Sequence, residues 1–195
     1  GQRTDDAHTV VHHQALDDVD RAEQHLAHPA AGRSLRGSRL QPRPAQLCRH
    51  RDRVVGMMRE LKMGDVADFR TFLGAVIDRK AFDRISAYLD DARKNATVIH
   101  GGHVHGNHGF FVEPTLVETK DPAYRLLCEE IFGPVVTAYV YPDAKWSETL
   151  SPIDRTSPYA LTGSVFGADR AAIVEATRAL RQAAGNFYIN DKPTG

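Results

Sequence analysis

The chain has 195 residues, enough for one domain or slightly more, and its 25 basic and 25 acidic side chains cancel to a formal net charge of zero. That balance excludes global electrostatic steering towards nucleic acid or an anionic membrane, and no apolar run approaches the ~20 residues that a membrane helix requires. Two cysteines, Cys48 and Cys128, build no disulfide framework, and the start Gly1 to Asp6 lacks the basic-then-apolar layout of a secretory signal, so a soluble, reducing, cytoplasmic setting is expected.

Hydrophobic side chains make up 42% of the chain, but their distribution is uneven. Phe69 is the first of fifteen aromatic residues and Lys62 the first lysine. Residues 1–53 instead hold nine arginines, prolines at 29, 42 and 44, and His8, His12, His13, His25, His28 and His50. Asp17, Asp18 and Asp20 stand near the start of a short amphipathic helix around Leu16 to Leu26. Ala30 to Arg53 shows neither the strand period nor the helix period. With no aromatics and few branched aliphatics it buries too little surface to offset backbone ordering, and it is predicted to be loose. The expected organisation is therefore a divergent, poorly patterned segment over 1–53 and a folded unit over 54–195.

From Val54 the pattern changes. Val55, Met58 and Leu61 are spaced for a helix that ends near Lys62, with Met63-Gly64-Asp65 as its stop. Asp78 is placed to cap a helix whose Phe82, Ile85, Leu89 and Ala92 form one apolar stripe. Thr97 to Ile99 reads as a short strand, followed by a Gly/His loop to Gly109. Phe110 to Val117 is extended, with an interruption at Pro114. Asp121 and Pro122 open a short helix, Val135 to Tyr141 is a strand, and Lys145 to Asp154 a helix. Leu161 to Phe166 is a strand, and Asp169 caps a helix with Ile173, Val174, Ala176 and Leu180 inward. Gly185 then breaks into the strand Asn186 to Asn190. Strands alternating with helices predict an α/β fold with a mainly parallel sheet and flanking helices.

The stretch Cys128-Glu129-Glu130-Ile131-Phe132-Gly133-Pro134-Val135 carries the chemistry. A Gly-Pro break before a β-rich run leaves two adjacent carboxylates at the mouth of a strand. A carboxylate there can accept paired hydrogen bonds from a diol, and a neighbouring ring can cover a flat heterocycle. On spacing alone, an exposed acidic pair ahead of a core phenylalanine at a turn is the favoured reading.

Glu-Glu-Ile-Phe-Gly-Pro-Val resembles the signature of the aldehyde dehydrogenase superfamily. Phe110 to Glu118, Tyr159 to Phe166 and Ala184 to Gly195 are similar to its Δ1-pyrroline-5-carboxylate (L-glutamate γ-semialdehyde) dehydrogenase branch, and the match runs from about Val54 to Gly195. The resemblance implies part of an α/β catalytic domain, NAD as cofactor, and L-glutamate γ-semialdehyde as small-molecule substrate, oxidised to L-glutamate in proline catabolism. It assigns Glu130 to the nicotinamide ribose hydroxyls and Phe132 to the ring position beside it, leaving Glu129 structural. Lys192 to Gly195 corresponds to the start of the loop that anchors the substrate, with Gly195 allowing close backbone approach.

The same resemblance marks what this chain lacks. The family nucleophile is a cysteine in a Gly-Gln-x-Cys segment, and counting back in register lands near Ser34, where no such segment stands. Cys48, between Gln46-Leu47 and Arg49-His50-Arg51, does not match it, although its basic neighbours would lower a thiol pKa. The general-base glutamate, the oxyanion asparagine and the nucleotide-binding domain lie further N-terminal in the family, and no Gly-rich turn here replaces the pyrophosphate cradle. No catalytic residue is assigned, and this chain alone is expected to be inactive. The Arg/His/Ala/Pro bias of residues 1–53 is what a slipped reading frame would produce; a Gly-Gln-x-Cys segment in another frame of the encoding DNA would test that.

Two further features are weighed against bland readings. His100, His103, His105 and His108 on a Gly-rich loop could collect a divalent metal, but with no carboxylate or cysteine to complete a shell they read as a solvated loop, and no metal site is assigned. Cys128 reads as a small packing residue, Trp146 and Tyr139 as core or sheet-face residues, and Asn190 as ordering a turn by its side chain. The rival to an enzyme fragment is a non-catalytic remnant that self-associates through unpaired sheet edges and uncovered apolar faces.

Overall fold

The computed structural model describes residues 9–13, 44–158 and 160–191. The helix expected around Leu16 to Leu26, the register position at Ser34, and the substrate-loop residues Lys192 to Gly195 lie outside the described residues. No helix among the described residues is long and apolar enough to cross a membrane.

The first described element, β1 (Thr9–His13), was not anticipated. Its β-branched Thr9, Val10 and Val11 suit an extended chain. Helix α1 (Pro44–Glu60) begins ten residues before Val54, which corrects the expectation that the chain is loose up to Arg53. Arginine and glutamine are good helix formers without any apolar stripe, and a proline is favoured in the first helical turn. The helix ends near the expected stop, and the chain from Lys62 to Ile77 is tied down by local bonds. Gly64 N–H donates to Leu73 O (3.0 Å) and Phe72 N–H to Lys62 O (2.8 Å), while Asp65 and Asp68 close Asx turns on Ala67 and Arg70.

Helix α2 (Arg79–Asn95) follows its sequence pattern closely. The Asp78 carboxylate accepts from the Ala81 amide at 2.7 Å, satisfying one of the orphan donors of the first turn. Arg93 and Lys94 close its C-terminal turn, where the helix dipole favours cations. Its inward stripe of Phe82, Ile85, Leu89 and Ala92 is buried, joined by Tyr88.

Strands β2 (Thr97–His100) and β3 (Val104–His105) follow, then β4 (Phe111–Val112) and β5 (Thr115–Thr119). Pro114 does interrupt the extended run: the residues before it pair with β3 and those after it with β2 and β6 (Val135–Tyr139). Helix α3 (Arg125–Cys128) lies between β5 and β6, shorter than a helix opened at Asp121 would be. Asp121 instead caps a turn by accepting from the Ala123 amide at 2.9 Å.

After β6 come a short 3-10 turn, helix α4 (Trp146–Arg155), strand β7 (Thr162–Phe166), helix α5 (Arg170–Ala179) and strand β8 (Asn186–Ile189). The fold is α/β. Parallel pairing joins β5 to β6 and β7 to β8, each across an intervening helix, as parallel neighbours require. Antiparallel β2 and β1 complete the two three-stranded sheets β2-β5-β6 and β1-β7-β8, and β3-β4 is an antiparallel hairpin, so the described sheets are mixed.

Two apolar clusters hold these sheets. One packs α2 against Val112, Val117, Tyr124, Leu126, Ile131 and Val135. The other packs α4 and α5 on β7 through Trp146, Leu150, Val165, Ala172, Ala176 and Leu180. In α5 the buried stripe is Ala172, Ala176 and Leu180, spaced i, i+4, i+8, while Val174 is 40% exposed. The expected inward Val174 is thus corrected: it lies half a turn off that stripe. Trp146 is buried with its indole N–H donating to Glu175 Oε2 at 3.1 Å. Tyr139, Tyr141 and Trp146 form a ladder of rings, centroids 6.1 and 6.4 Å apart, that leads from β6 into the second cluster.

Candidate functional site

The loop between α3 and β6 is built on α2. Glu129, immediately after α3, is exposed but has one carboxylate oxygen engaged. Its Oε2 accepts from the Tyr88 hydroxyl at 2.5 Å and from Arg125 Nη2 at 3.2 Å, and the Arg125 guanidinium sits 4.6 Å above the Tyr88 ring. The bond from Tyr88, then that from Arg125, holds the Glu129 carboxyl below its ordinary range. The same bond, with burial, pushes the Tyr88 phenol up. At neutral pH the pair is therefore a protonated donor on an ionised acceptor, the stronger kind of hydrogen bond.

Glu130 is exposed and makes no hydrogen bond or ion pair among the described residues. Ile131 turns inward and is buried in the first cluster, and its carbonyl accepts from Arg84 Nη2 at 3.3 Å. Phe132 then projects outward, 65% exposed, with φ at +50°, an uncommon conformation for a bulky side chain. Gly133 lies directly on α2: a Cβ there would meet Ile85 Cδ1 at 2.6 Å. Thr115 N–H donates to Pro134 O at 2.8 Å, tying the loop's end to the start of β5.

The structure thus places Glu130 and Phe132 two residues apart on one surface loop, with Ile131 as the anchor between them. The carboxylate offers two acceptor oxygens and the ring an uncovered apolar face. Gly195, the third predicted site residue, lies outside the described residues.

Cys128 is partly buried, with its Sγ 3.6 Å from Ala123 O. Burial first, then the charges of Asp121 and Glu129, push its thiol up, which suits a packing residue and not a nucleophile. Cys48 lies on α1. The histidine loop differs from expectation in one respect, for a carboxylate does reach it. Glu113 Oε2 lies 2.9 Å from His103 Nδ1 and its Oε1 3.3 Å from His105 Nε2. Register explains this: Glu113 N–H donates to His103 O at 3.0 Å, so the three side chains share the hairpin. Among the described residues no group of three or more His, Cys, Asp or Glu is arranged to hold a metal ion.

Sequence reasoning missed Tyr88, Arg84 and Arg125. Arg125 stands four residues before Glu129, a spacing that signals a helical pair. Tyr88 hides as one more apolar position of the α2 stripe, and nothing local to it points 41 residues ahead to Glu129.

Fold and loop together define part of an α/β domain that carries an exposed carboxylate and an exposed ring on one loop. The chain belongs to the aldehyde dehydrogenase family, whose sequence model matches residues 46–195. It is 51% identical over 148 residues to the mitochondrial Delta-1-pyrroline-5-carboxylate dehydrogenase of Danio rerio, covering 74% of this chain and 27% of that protein. To the Homo sapiens protein of the same name it is 54% identical over 138 residues, 69% of this chain and 24% of that one. Among solved structures, the Delta-pyrroline-5-carboxylate dehydrogenase from Mycobacterium tuberculosis bound with NAD is similar at a TM-score of 0.68 and 40% identity, covering 77% of this chain and 27% of that one. The chain spans about a quarter of the length of the curated relatives it matches.

Proposed function

We propose that this chain is the C-terminal part of a catalytic domain that oxidises L-glutamate γ-semialdehyde (Δ1-pyrroline-5-carboxylate) to L-glutamate with NAD, in the service of proline catabolism. The observation that carries the reading is the division of labour between adjacent carboxylates: Glu129 Oε2 is bonded by Tyr88 and Arg125, while Glu130, beside an exposed Phe132, has no partner among the described residues. Identity above half to two Delta-1-pyrroline-5-carboxylate dehydrogenases supports the substrate class, and the NAD-bound neighbour supports the cofactor.

NAD supplies the hydride acceptor when bound. Glu130 would accept hydrogen bonds from the hydroxyls of its nicotinamide ribose, and Phe132 would supply the ring beside it. Gly195 begins the loop that meets the substrate's α-carboxylate and amine through backbone groups. The nucleophile, the general base and the oxyanion donor are not assigned to any residue of this chain, so binding without turnover is the expected behaviour of the chain alone. The cytoplasmic setting read from the sequence stands as a proposal, to be decided by cell fractionation against relatives whose names place them in mitochondria.

Nicotinamide mononucleotide carries the ribose in question, with its nicotinamide ring and 5′-phosphate, and lacks the adenosine half of NAD. Its titration should shift the backbone NMR signals of Glu130 and Phe132, and Glu130→Gln should weaken the response; unshifted signals at saturating nucleotide would overturn the assignment. NADH formation with the semialdehyde is expected to be absent, and turnover abolished by Cys48→Ser would reveal Cys48 as the nucleophile. A second reading, a non-catalytic fragment that self-associates, is favoured by the full exposure of Phe69 and the 93% exposure of Ile77.

A further inference from the structure

The loop from Glu130 to Phe132 has little of its own to hold it. Its flanks are bonded, Glu129 N–H to Arg125 O at 2.9 Å and Val135 N–H to Gly133 O at 2.7 Å, but among the described residues no backbone hydrogen bond is made by the amides of Glu130, Ile131 or Phe132. Yet Phe132 occupies a left-handed conformation at φ +50°, which a non-glycine residue keeps only where its surroundings over-determine it. Helix α2 supplies those surroundings at successive positions of one face. Arg84 binds the Ile131 carbonyl, Ile85 lies close under Gly133, where an added Cβ would force it to shift, and Tyr88 binds the Glu129 carboxylate. Arg125 braces the last of these contacts by bonding the same oxygen and covering the Tyr88 ring.

We propose that Tyr88 and Arg125 are positioning residues: through the Oε2 of Glu129 they fix the backbone that presents Glu130 and Phe132. The inference rests on the cofactor reading above for what the loop presents, and on the α2 contacts for how it is held. Tyr88 is buried, and its hydroxyl reaches the loop through Glu129.

Backbone amide relaxation on the full chain tests this. In the wild type the order parameters of Glu130 to Gly133 should match those of β5, about 0.85. Tyr88→Phe retains the ring, its packing and the guanidinium contact while removing one hydroxyl; it should drop Glu130 to Phe132 below about 0.6 and leave β5 unchanged. Glu129→Ala should do the same. Glu129→Gln retains an oxygen that accepts from Tyr88 and should restore order, a rescue that a general loss of stability would not show. Nicotinamide mononucleotide affinity should fall about tenfold in Tyr88→Phe, the size expected for one charge-assisted hydrogen bond, and fall less in Glu129→Gln than in Glu129→Ala. Unchanged order parameters in both Tyr88→Phe and Glu129→Ala would overturn the proposal. Loss of order in a chain whose wild type does not bind the nucleotide would support the positioning and overturn the cofactor reading instead.

Discussion

At Gly101 the backbone has a φ of +69°, and a Cβ built there would lie 2.2 Å from the Pro114 carbonyl oxygen. Gly101→Ala therefore faces both left-handed strain and a clash with backbone that cannot swing aside. A loss of about 1–3 kcal/mol in denaturant unfolding is expected. Asn190 shows the opposite use of the same region. At φ +53° it is held by its own side chain, which donates to Gly167 O at 3.0 Å and accepts from Gly167 N–H at 2.8 Å, as the sequence reading anticipated for an asparagine at a strand end. Glu113 carries a pH dependence. Burial raises its pKa, but the hydrogen bonds from His103 and His105 and their charges outweigh that, and the net shift is downward. A carboxyl lowered in the fold stabilises it above the unfolded value, about pH 4.3, and that contribution is lost as pH falls through the folded value. Glu113→Gln should flatten the acid limb of a stability–pH curve there; an unchanged limb would show that the histidine contacts contribute nothing.

Among the elements, α2 is the one whose sequence pattern and structure agree most fully, because its signals are local. Asp78 stands three residues before the amide it caps, and the apolar stripe repeats at the helical period. Asp78→Ala should cost about 1 kcal/mol. Leu89→Ala, at a fully buried position of the same helix, should cost about 2–5 kcal/mol. A larger loss for Asp78→Ala than for Leu89→Ala in chemical denaturation would mean that the cap, and not the packing, dominates the helix. The first turns of α1 were not legible, since Arg49, Arg51 and Arg53 carry helix propensity without periodicity. The assignment of Phe111–Val112 and Thr115–Thr119 to different sheets was not legible either, since Pro114 announces an interruption but not the partners on either side.

On the scale of the whole molecule, two clusters of apolar side chains support two small sheets, while Val66, Phe69, Ile77 and Leu161 remain exposed. In a chain of zero net formal charge, no long-range repulsion opposes contact between such surfaces. Light scattering should show association that grows with concentration, and Phe69→Asp with Ile77→Asp should reduce it; a monomer at all concentrations would remove the self-association reading. The sequence by itself determined the α/β alternation, the capped helix at Asp78, the turn at Asn190 and the family to which residues 46–195 belong, because each of these is written in adjacent residues or at one short period. The tertiary structure showed what engages Glu129, while Glu130 has no partner among the described residues. The hydroxyl that claims Glu129 comes from 41 residues away, on a helix whose pattern describes a face and not its target.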